Sequence, residues 1–498
     1  MKPLPSSARS LVLRFVLCAL ATAPVLAAGA GAQDVSVSAT DQFEYSFSSE
    51  SEREIVENWL DVSYRFGEFR TGLLLNSRQP SEEGFRQNEI KHRFFEFSRG
   101  DVDLRVGHFY GLFGRGLVFS AYENRQIRVD TALDGVLATV RRGPATIAVL
   151  SGTPSTLDRD IRALDVETDL GRGWLLGTSA LTYFIDETCS NDEGPLRVEE
   201  REWVTTGRLS KFFDYGDLYA EYGWKSGYDF LPVPDGESHD GHIFYGAANV
   251  YAGSFALALE AKDYDKFTVL RRTDGVASLN KPPSLTREHV YTLLGRNAHN
   301  LNADDEKGYQ AELTWSAPSE VTVIASANRT RTQSGHTVFE EAYLQIEKER
   351  VGDFRLKTAF GFQDAEGLRQ TGIGEATWLL NDAYSLTAVW EHQHVRPEGT
   401  PLYDAGAYDV DYFTLEFASS PTWSLTGIME VNNKYDEQRD VGEKKGPFPA
   451  AQFSWFFPRG DSIALWAGKR QAGQLCSGGV CKYEPAFEGV EIFGLVRY

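Results

Sequence analysis

A two-residue rhythm constrains this chain more than any other feature. From Asp34 to Tyr498 the sequence repeats one unit: an alternating segment of about ten residues, a turn, a second such segment, then a longer polar stretch. Successive side chains of a strand point to opposite faces, so alternation of apolar with polar residues marks a strand with one oily and one wet face. In Phe255–Lys262, Leu257 and Leu259 share one face while Glu260 and Lys262 share the other. Phe354, Leu356, Phe360 and Phe362 oppose Arg355, Lys357 and Gln363 in the same way. Trp423, Leu425, Met429 and Val431 oppose Ser424, Thr426, Glu430 and Asn432. A soluble sandwich also alternates, but with shorter strands. Here Trp315, Tyr384, Trp390 and Trp423 sit near segment ends, which suits the aromatic girdles of a membrane barrel.

The connections fall into two length classes. Short ones are Phe66–Phe69, Ser98–Asp101, Arg142–Pro144, Tyr215–Asp217, Ala252–Ser254, Asn381–Ala383 and Pro458–Asp461. Long, charged ones alternate with them, including 77–88, 185–200, 225–241 and 394–406. Short periplasmic turns and long external loops are the pattern of outer-membrane barrels. The expected fold is therefore all-β: a single large antiparallel transmembrane β-barrel of about 24 strands, within a range of about 20 to 26. The last segment has apolar Val490, Ile492 and Val496 at alternate positions and ends on Tyr498. This looks like the terminal signature that outer-membrane proteins present to the barrel assembly machinery.

The N-terminus fixes the compartment. Lys2, Arg9 and Arg14 accompany an apolar run from Leu11 to Leu26 that ends in Ala28-Gly-Ala30 and Ala30-Gly-Ala32. Residues 1–32 read as a signal peptide cleaved near Ala32, with residues 33–498 forming the barrel. Leu17 precedes Cys18 where a lipoprotein signal wants a small residue. The first strand begins almost at the cleavage site, which leaves no room for a plug domain ahead of the barrel and argues against plugged, energy-coupled transporters. Beyond the signal there is no apolar run near the ~18 residues that a transmembrane helix needs. A membrane span must then be made of strands.

Composition agrees. Aromatics make up 13% of the chain, Gly is frequent at 46 and Met falls to 2. Residues 1–32 hold three basic and no acidic residues, so the rest has 47 basic against 71 acidic residues and a net charge of −24. That charge excludes nucleic acid as a partner. Expected partners are outer-membrane lipid and lipopolysaccharide, the barrel assembly machinery and an unknown small solute. Cys476 and Cys481 bracket Ser-Gly-Gly-Val and form a candidate disulfide in an oxidising compartment; two free loop thiols are the alternative, and Cys189 is left over.

Two connections differ from the rest. The first, 111–134, is the third external loop, the position from which porin loops often fold inward. Arg115, Arg125 and Arg128 beside Glu123, Asp130 and Asp134 would set opposed charges in a pore constriction; ordinary salt bridges pinning a loop are the alternative. The second, 263–308, exceeds the ~15 residues of an idle connection. Within it Ser284 could cap a helix running through Leu294 and stopping at Gly295, as part of an inward lid. Gly107-His-Phe-Tyr-Gly-Leu-Phe-Gly-Arg-Gly-Leu117 with Asp130–Gly135, and Asn280-Lys-Pro-Pro-Ser-Leu285 through Arg296, resemble a porin-like outer-membrane barrel family of unassigned function. The resemblance covers most of the chain after residue 32. It implies the fold and leaves the substrate open.

Catalytic motifs are missing: there is no G-x-S-x-G, P-loop, G-x-G-x-x-G or H-E-x-x-H. His392 and His394 share a strand face, and His239 and His242 lie close together, but no third metal ligand accompanies either pair, and no metal or cofactor is expected. Asp304, Asp305 and Glu306, and Asp186, Glu187, Asp192 and Glu193, read as solvated loop acids, with divalent cations held near lipopolysaccharide as the alternative. Glu260, Lys262, Arg355, Lys357 and Glu430 are expected to line the lumen. The expectation is a non-enzymatic outer-membrane channel for passive diffusion of small hydrophilic solutes, with a surface barrel whose acidic loops bind a partner as the alternative.

Overall fold

The computed structural model describes residues 35–498 apart from 50–51, 83, 155–159, 192–193, 227–239, 271–277, 297, 366, 399–405 and 434–446. The expected signal peptide and His239 lie outside the described residues, as do the side chains of residues 185–200, Cys189 among them. One antiparallel sheet of 24 strands makes up almost all of the molecule. The first strand, Val35–Ser48, pairs on one edge with Arg53–Phe66 and on the other with the last strand, Phe487–Arg497. Thr40 stands opposite Arg497 and Ser48 opposite Gly489, so the sheet is closed and has no free edge. Closure is what membrane insertion demands of strands, because hydrocarbon offers no hydrogen-bond partner to an unpaired N–H or C=O.

Alternation sorts the side chains as the rhythm predicts. Leu259 is 44% exposed and Phe360 51%, on the outside of the wall, while the intervening Lys262 and Gln363 are 3% and 1% exposed inside it. Phe354, Leu356, Leu425, Met429 and Val431 also face outward. An exposed apolar belt of this kind is stable only against lipid. Aromatic pairs mark its margins, as in Phe255 with Trp315, Phe354 with Trp378, and Tyr384 with Phe417.

One connection departs from expectation. The stretch 185–200 is not a long loop: the strands Trp174–Asn191 and Gly194–Phe213 stay paired up to Asn191 opposite Gly194. Polar residues do not end a strand while its backbone still has a partner; here the ladder runs on beyond the apolar belt.

Glu260 supplies the contrast to its outward neighbour. A charge introduced in the belt, Leu259→Arg, is expected to destabilise the inserted barrel by about 2–4 kcal/mol, whereas Glu260→Gln on the inner face is tolerated. Guanidinium unfolding of the barrel in lipid vesicles, followed by tryptophan fluorescence, checks both; equal effects would contradict the assignment of faces.

Candidate functional site

The barrel interior is not an open bore. Two long connections fold into it: 110–132, between the strands Val102–Phe109 and Leu133–Arg142, and the described residues of 266–304, between Phe255–Asp265 and Asp305–Ala317. Phe113, Leu117, Val118 and Phe119 of the first pack with Phe267, Val269, Leu279 and Leu285 of the second. Both rest on inward-facing Leu150, Ile161, Leu181, Val204 and Ile243 of the wall. This dry core occupies one side of the lumen, and each buried side chain of Val, Leu or Phe size stabilises it by roughly 1.5–3 kcal/mol.

Backbone and side-chain bonds stitch the two segments together. Ser120 N donates to Leu279 O at 2.7 Å and Lys281 N to Gly116 O at 2.9 Å. Asn280, 3% exposed, donates to Leu117 O at 3.2 Å and Phe267 O at 2.9 Å and accepts from Val269 N at 2.9 Å. The glycines of the motif permit this approach. Gly114 has φ +52° and Gly116 +80°; a Cβ would stand 2.7 Å from Glu221 Oε2 at the first and 2.7 Å from Lys281 O at the second.

The charged residues of the first segment are tied to the wall. Arg128 reaches three carboxylates, Glu44 at 2.9 Å, Glu57 at 2.6 Å and Glu82 at 3.2 Å. Arg125 binds Asp61 at 2.9 Å and Glu123 at 3.1 Å. Asp130 holds Lys91 at 2.6 Å and His92 at 3.0 Å. Arg115 lies over the Tyr219 ring at 5.1 Å, and its backbone N–H donates to Glu221 at 3.2 Å. Asp134 stands apart from this group. It belongs to the barrel strand, alternates with the buried Leu133, and pairs with the exposed Arg93 at 3.5 Å. Burial alone would raise the Asp130 carboxyl, but the hydrogen bond from His92 and the charge of Lys91 outweigh it and hold the group well below the usual carboxylate range. Glu82 is lowered too, burial being outweighed by Lys482 and Arg128.

The far half of the second segment crosses to the opposite wall on polar contacts and on a small apolar cluster, Tyr291 and Leu294 against Tyr343, Ala359 and Ile373. Arg296 takes Glu430 with both guanidinium nitrogens, the longer bond being 2.7 Å. His289 meets Glu341 at 2.9 Å, and Tyr291 donates to Glu375 at 2.9 Å. The expected helix from Ser284 to Leu294 is a single turn, Thr292–Gly295. Its first N–H groups are capped by the wall: Glu391 accepts from Thr292 N at 3.0 Å and Leu293 N at 2.8 Å. Ser284 instead gives its carbonyl to Lys262 and pairs its hydroxyl with Thr286, so the chain stays extended there.

Over this half lies an external hairpin, Gly473–Ser477 with Val480–Glu484, closed by the Cys476–Cys481 disulfide. Gly479 O accepts from Leu301 N at 2.9 Å, and Lys482 binds Glu82 at 2.6 Å.

The remaining expected residues fall as follows. Glu260 faces inward and accepts from the Tyr245 hydroxyl; Lys262 is buried against Glu306 at 2.6 Å. Arg355 pairs with Glu349 at 2.8 Å and Lys357 with Glu375 at 3.4 Å. Glu306 is no solvated acid, because it is 1% exposed and also holds His299 at 2.8 Å. His392 and His394 face outward and are each matched to an aspartate, Asp411 at 3.0 Å and Asp409 at 2.7 Å. No group of three metal-ligating side chains occurs among the described residues. Sequence reasoning placed Glu430 inside but missed the role of Asn280 and the inward carboxylates Glu341 and Glu391. The available signal was complementarity: Arg287, His289, Arg296 and His299 of the insert meet Glu312, Glu341, Glu430 and Glu306.

Two outcomes follow from these contacts. Asn280→Leu leaves two buried carbonyls and one N–H without partners, at about 1–3 kcal/mol each. Amide exchange at 117–119 and 279–281 should accelerate while the barrel strands keep their protection. For Asp130 and Glu82 the folded pKa lies below the unfolded one, so their contribution is complete above the unfolded values near 4 and is lost as the pH falls through the depressed values. Protease protection of 111–132 should hold from neutral pH down to about pH 5 and decline below about pH 4.

No curated protein matches the sequence. Among solved structures, the translocation pore of the P pilus usher PapC is similar with a TM-score of 0.49 and 8% identity, covering 93% of this chain and 98% of that one. The siderophore receptor PirA from Pseudomonas aeruginosa gives 0.45 and 10%, covering 93% and 80%. OpdK with vanillate, also from Pseudomonas aeruginosa, gives 0.37 and 10%, covering 68% and 94%. Residues 29–497 match a family of unknown function, DUF6029, and the chain belongs to that family.

Proposed function

We propose that this is a bacterial outer-membrane channel that passes small hydrophilic solutes by diffusion, without catalysis or cofactor, through the wet side of a lumen narrowed by its own loops. The carrying observation is the asymmetry of the plug. One half is dry and built on the wall through Leu117, Phe119, Leu279 and their neighbours; the other half is held mainly by polar contacts, His289 to Glu341, Arg296 to Glu430 and two backbone N–H groups to Glu391, beside a small apolar cluster of Tyr291 and Leu294. These carboxylates are buried, but polar contacts exchange where a packed apolar core does not. Lumen width supports the reading, since strand number sets diameter and a barrel of 24 strands is wide enough to need a filling.

Occlusion by two segments favours a second reading, a surface barrel whose acidic loops bind a partner while the lumen stays shut. Planar-bilayer recording separates them. Purified protein should give discrete conductance steps, and replacing 267–303 by a short Gly/Ser turn should raise the step several-fold. Silence from both proteins would overturn the channel and favour the binding reading.

A further inference from the structure

We propose that the passage beneath the disulfide hairpin is a binding site for protonated amines, so that the solutes this barrel selects are organic cations. The proposal deepens the channel reading and rests on it for the route, but not for the binding.

Two cavities adjoin under the hairpin. One, about 300 Å³, lies between the insert, the hairpin and wall residues Phe339, Glu341 and Gln363. The other, about 310 Å³, is lined by Glu260, Lys281 and Gln310 among others. Both are bordered by Thr286, Glu288 and Gly478, so they lie on either side of the same strip of the insert. Along the wall behind them runs one row of side chains on consecutive strands, Gln310 opposite Asn328, Asn328 opposite Glu341, and Glu341 opposite Gln363.

The row ends in acceptors that nothing satisfies. Gln310 Oε1, Asn328 Oδ1 and Gln363 Oε1 are buried and have no hydrogen-bond partner. Gln363 is 1% exposed and lines the first cavity. Its amide is oriented unambiguously, because Nε2 donates to Glu341 Oε2 at 2.8 Å and to Leu294 O at 3.3 Å, which leaves the oxygen as the idle atom. Asn328 likewise turns its Nδ2 to Glu341. Arg329, whose Nε lies 3.3 Å from Glu340, and Arg331 alternate with Asn328 and Thr330 and so belong to the other face.

The charged donors that border the first cavity are committed to carboxylates, and Lys281 of the second lies over the Tyr122 ring at 4.5 Å. Arg287 binds Glu312, Arg296 binds Glu430, and His289 binds Glu341. A buried acceptor left unpaired is costly, so the site is completed by a ligand that donates and does not need to accept. An ammonium group has three donors and no acceptor; a sugar hydroxyl or a carboxylate would ask for donors that, in the first cavity, are already bound to carboxylates. Glu260 and Glu288 outnumber Lys281 in the lining of the second cavity, and the chain's formal net charge of −21 favours the approach of cations.

The test is titration calorimetry of the full-length barrel in detergent with a length-matched series: 1,5-diaminopentane, 1,5-pentanediol and glutarate. The diamine should bind, and the diol and diacid should bind at least tenfold more weakly. Gln363→Met and Gln310→Met, each checked for an intact heat-modifiable barrel, should weaken the diamine at least tenfold. Glu288→Gln, on the insert and away from the wall, should weaken it as well. Equal binding of diamine and diol, or no change in all three variants, overturns the proposal. Bilayer recording keeps the two readings apart: diamine binding without conductance removes the channel and leaves the site, whereas conductance that diamine neither blocks nor binds removes the site and leaves the channel.

Discussion

Every backbone N–H and C=O that enters hydrocarbon must find a partner within the protein, and the rest of this structure depends on that constraint. It forces the strands into a closed ladder in which Val35–Ser48 meets Phe487–Arg497 across nearly the whole chain length. Once the ladder is closed, the alternation of side chains has only two destinations. Leu259 and Phe360 go to lipid; Lys262 and Gln363 go inside.

Closing so many strands creates a second problem, a lumen too wide to be filled by the wall's own side chains. This chain fills it with two of its own loops, and it does so by two different kinds of force. The 110–132 segment and the first part of the insert bring apolar side chains to an apolar patch of inner wall, which makes a core that behaves like the inside of a soluble protein. The rest of the insert is carried mainly by wall carboxylates that meet a base, a hydroxyl or a backbone N–H, with a small apolar cluster at Tyr291 and Leu294. Buried ion pairs contribute little net stability against apolar packing, but removing one partner strands the other, so they fix position more than they add strength.

The barrel itself was legible because period-two alternation is a local property: the parity of Leu257, Leu259, Glu260 and Lys262 needs no knowledge of distant residues. Strand number followed from counting turns. The interior was less legible because it depends on contacts across the lumen. Asn280 reads as a loop asparagine until Leu117 and Phe267 stand beside it. The dry core did leave a trace, since Val149 with Leu150 and Ala163 with Leu164 are adjacent apolar pairs that put oily groups on both faces of their strands. The helix expected from Ser284 failed for a tertiary reason: Lys262 and Thr286 claim the capping residue, and the cap comes from Glu391 on a distant strand. The charges of the 111–134 loop were recognised, but whether they face water or the wall is decided by Glu44, Glu57 and Asp61, which lie far away in sequence.

The inside-out arrangement is open to one direct measurement, a nitroxide scan along the strand Trp423–Asn432 in lipid vesicles. Leu425 and Met429 face outward, Thr426 and Ile428 inward, and Glu430 lies against the insert. Labels at Leu425 and Met429 should be relaxed by dissolved oxygen and not by an aqueous nickel chelate; labels at Thr426 and Ile428 should show the reverse. Aqueous access at the odd positions, or shielding from both quenchers throughout, would contradict an oily exterior around a partly wet lumen.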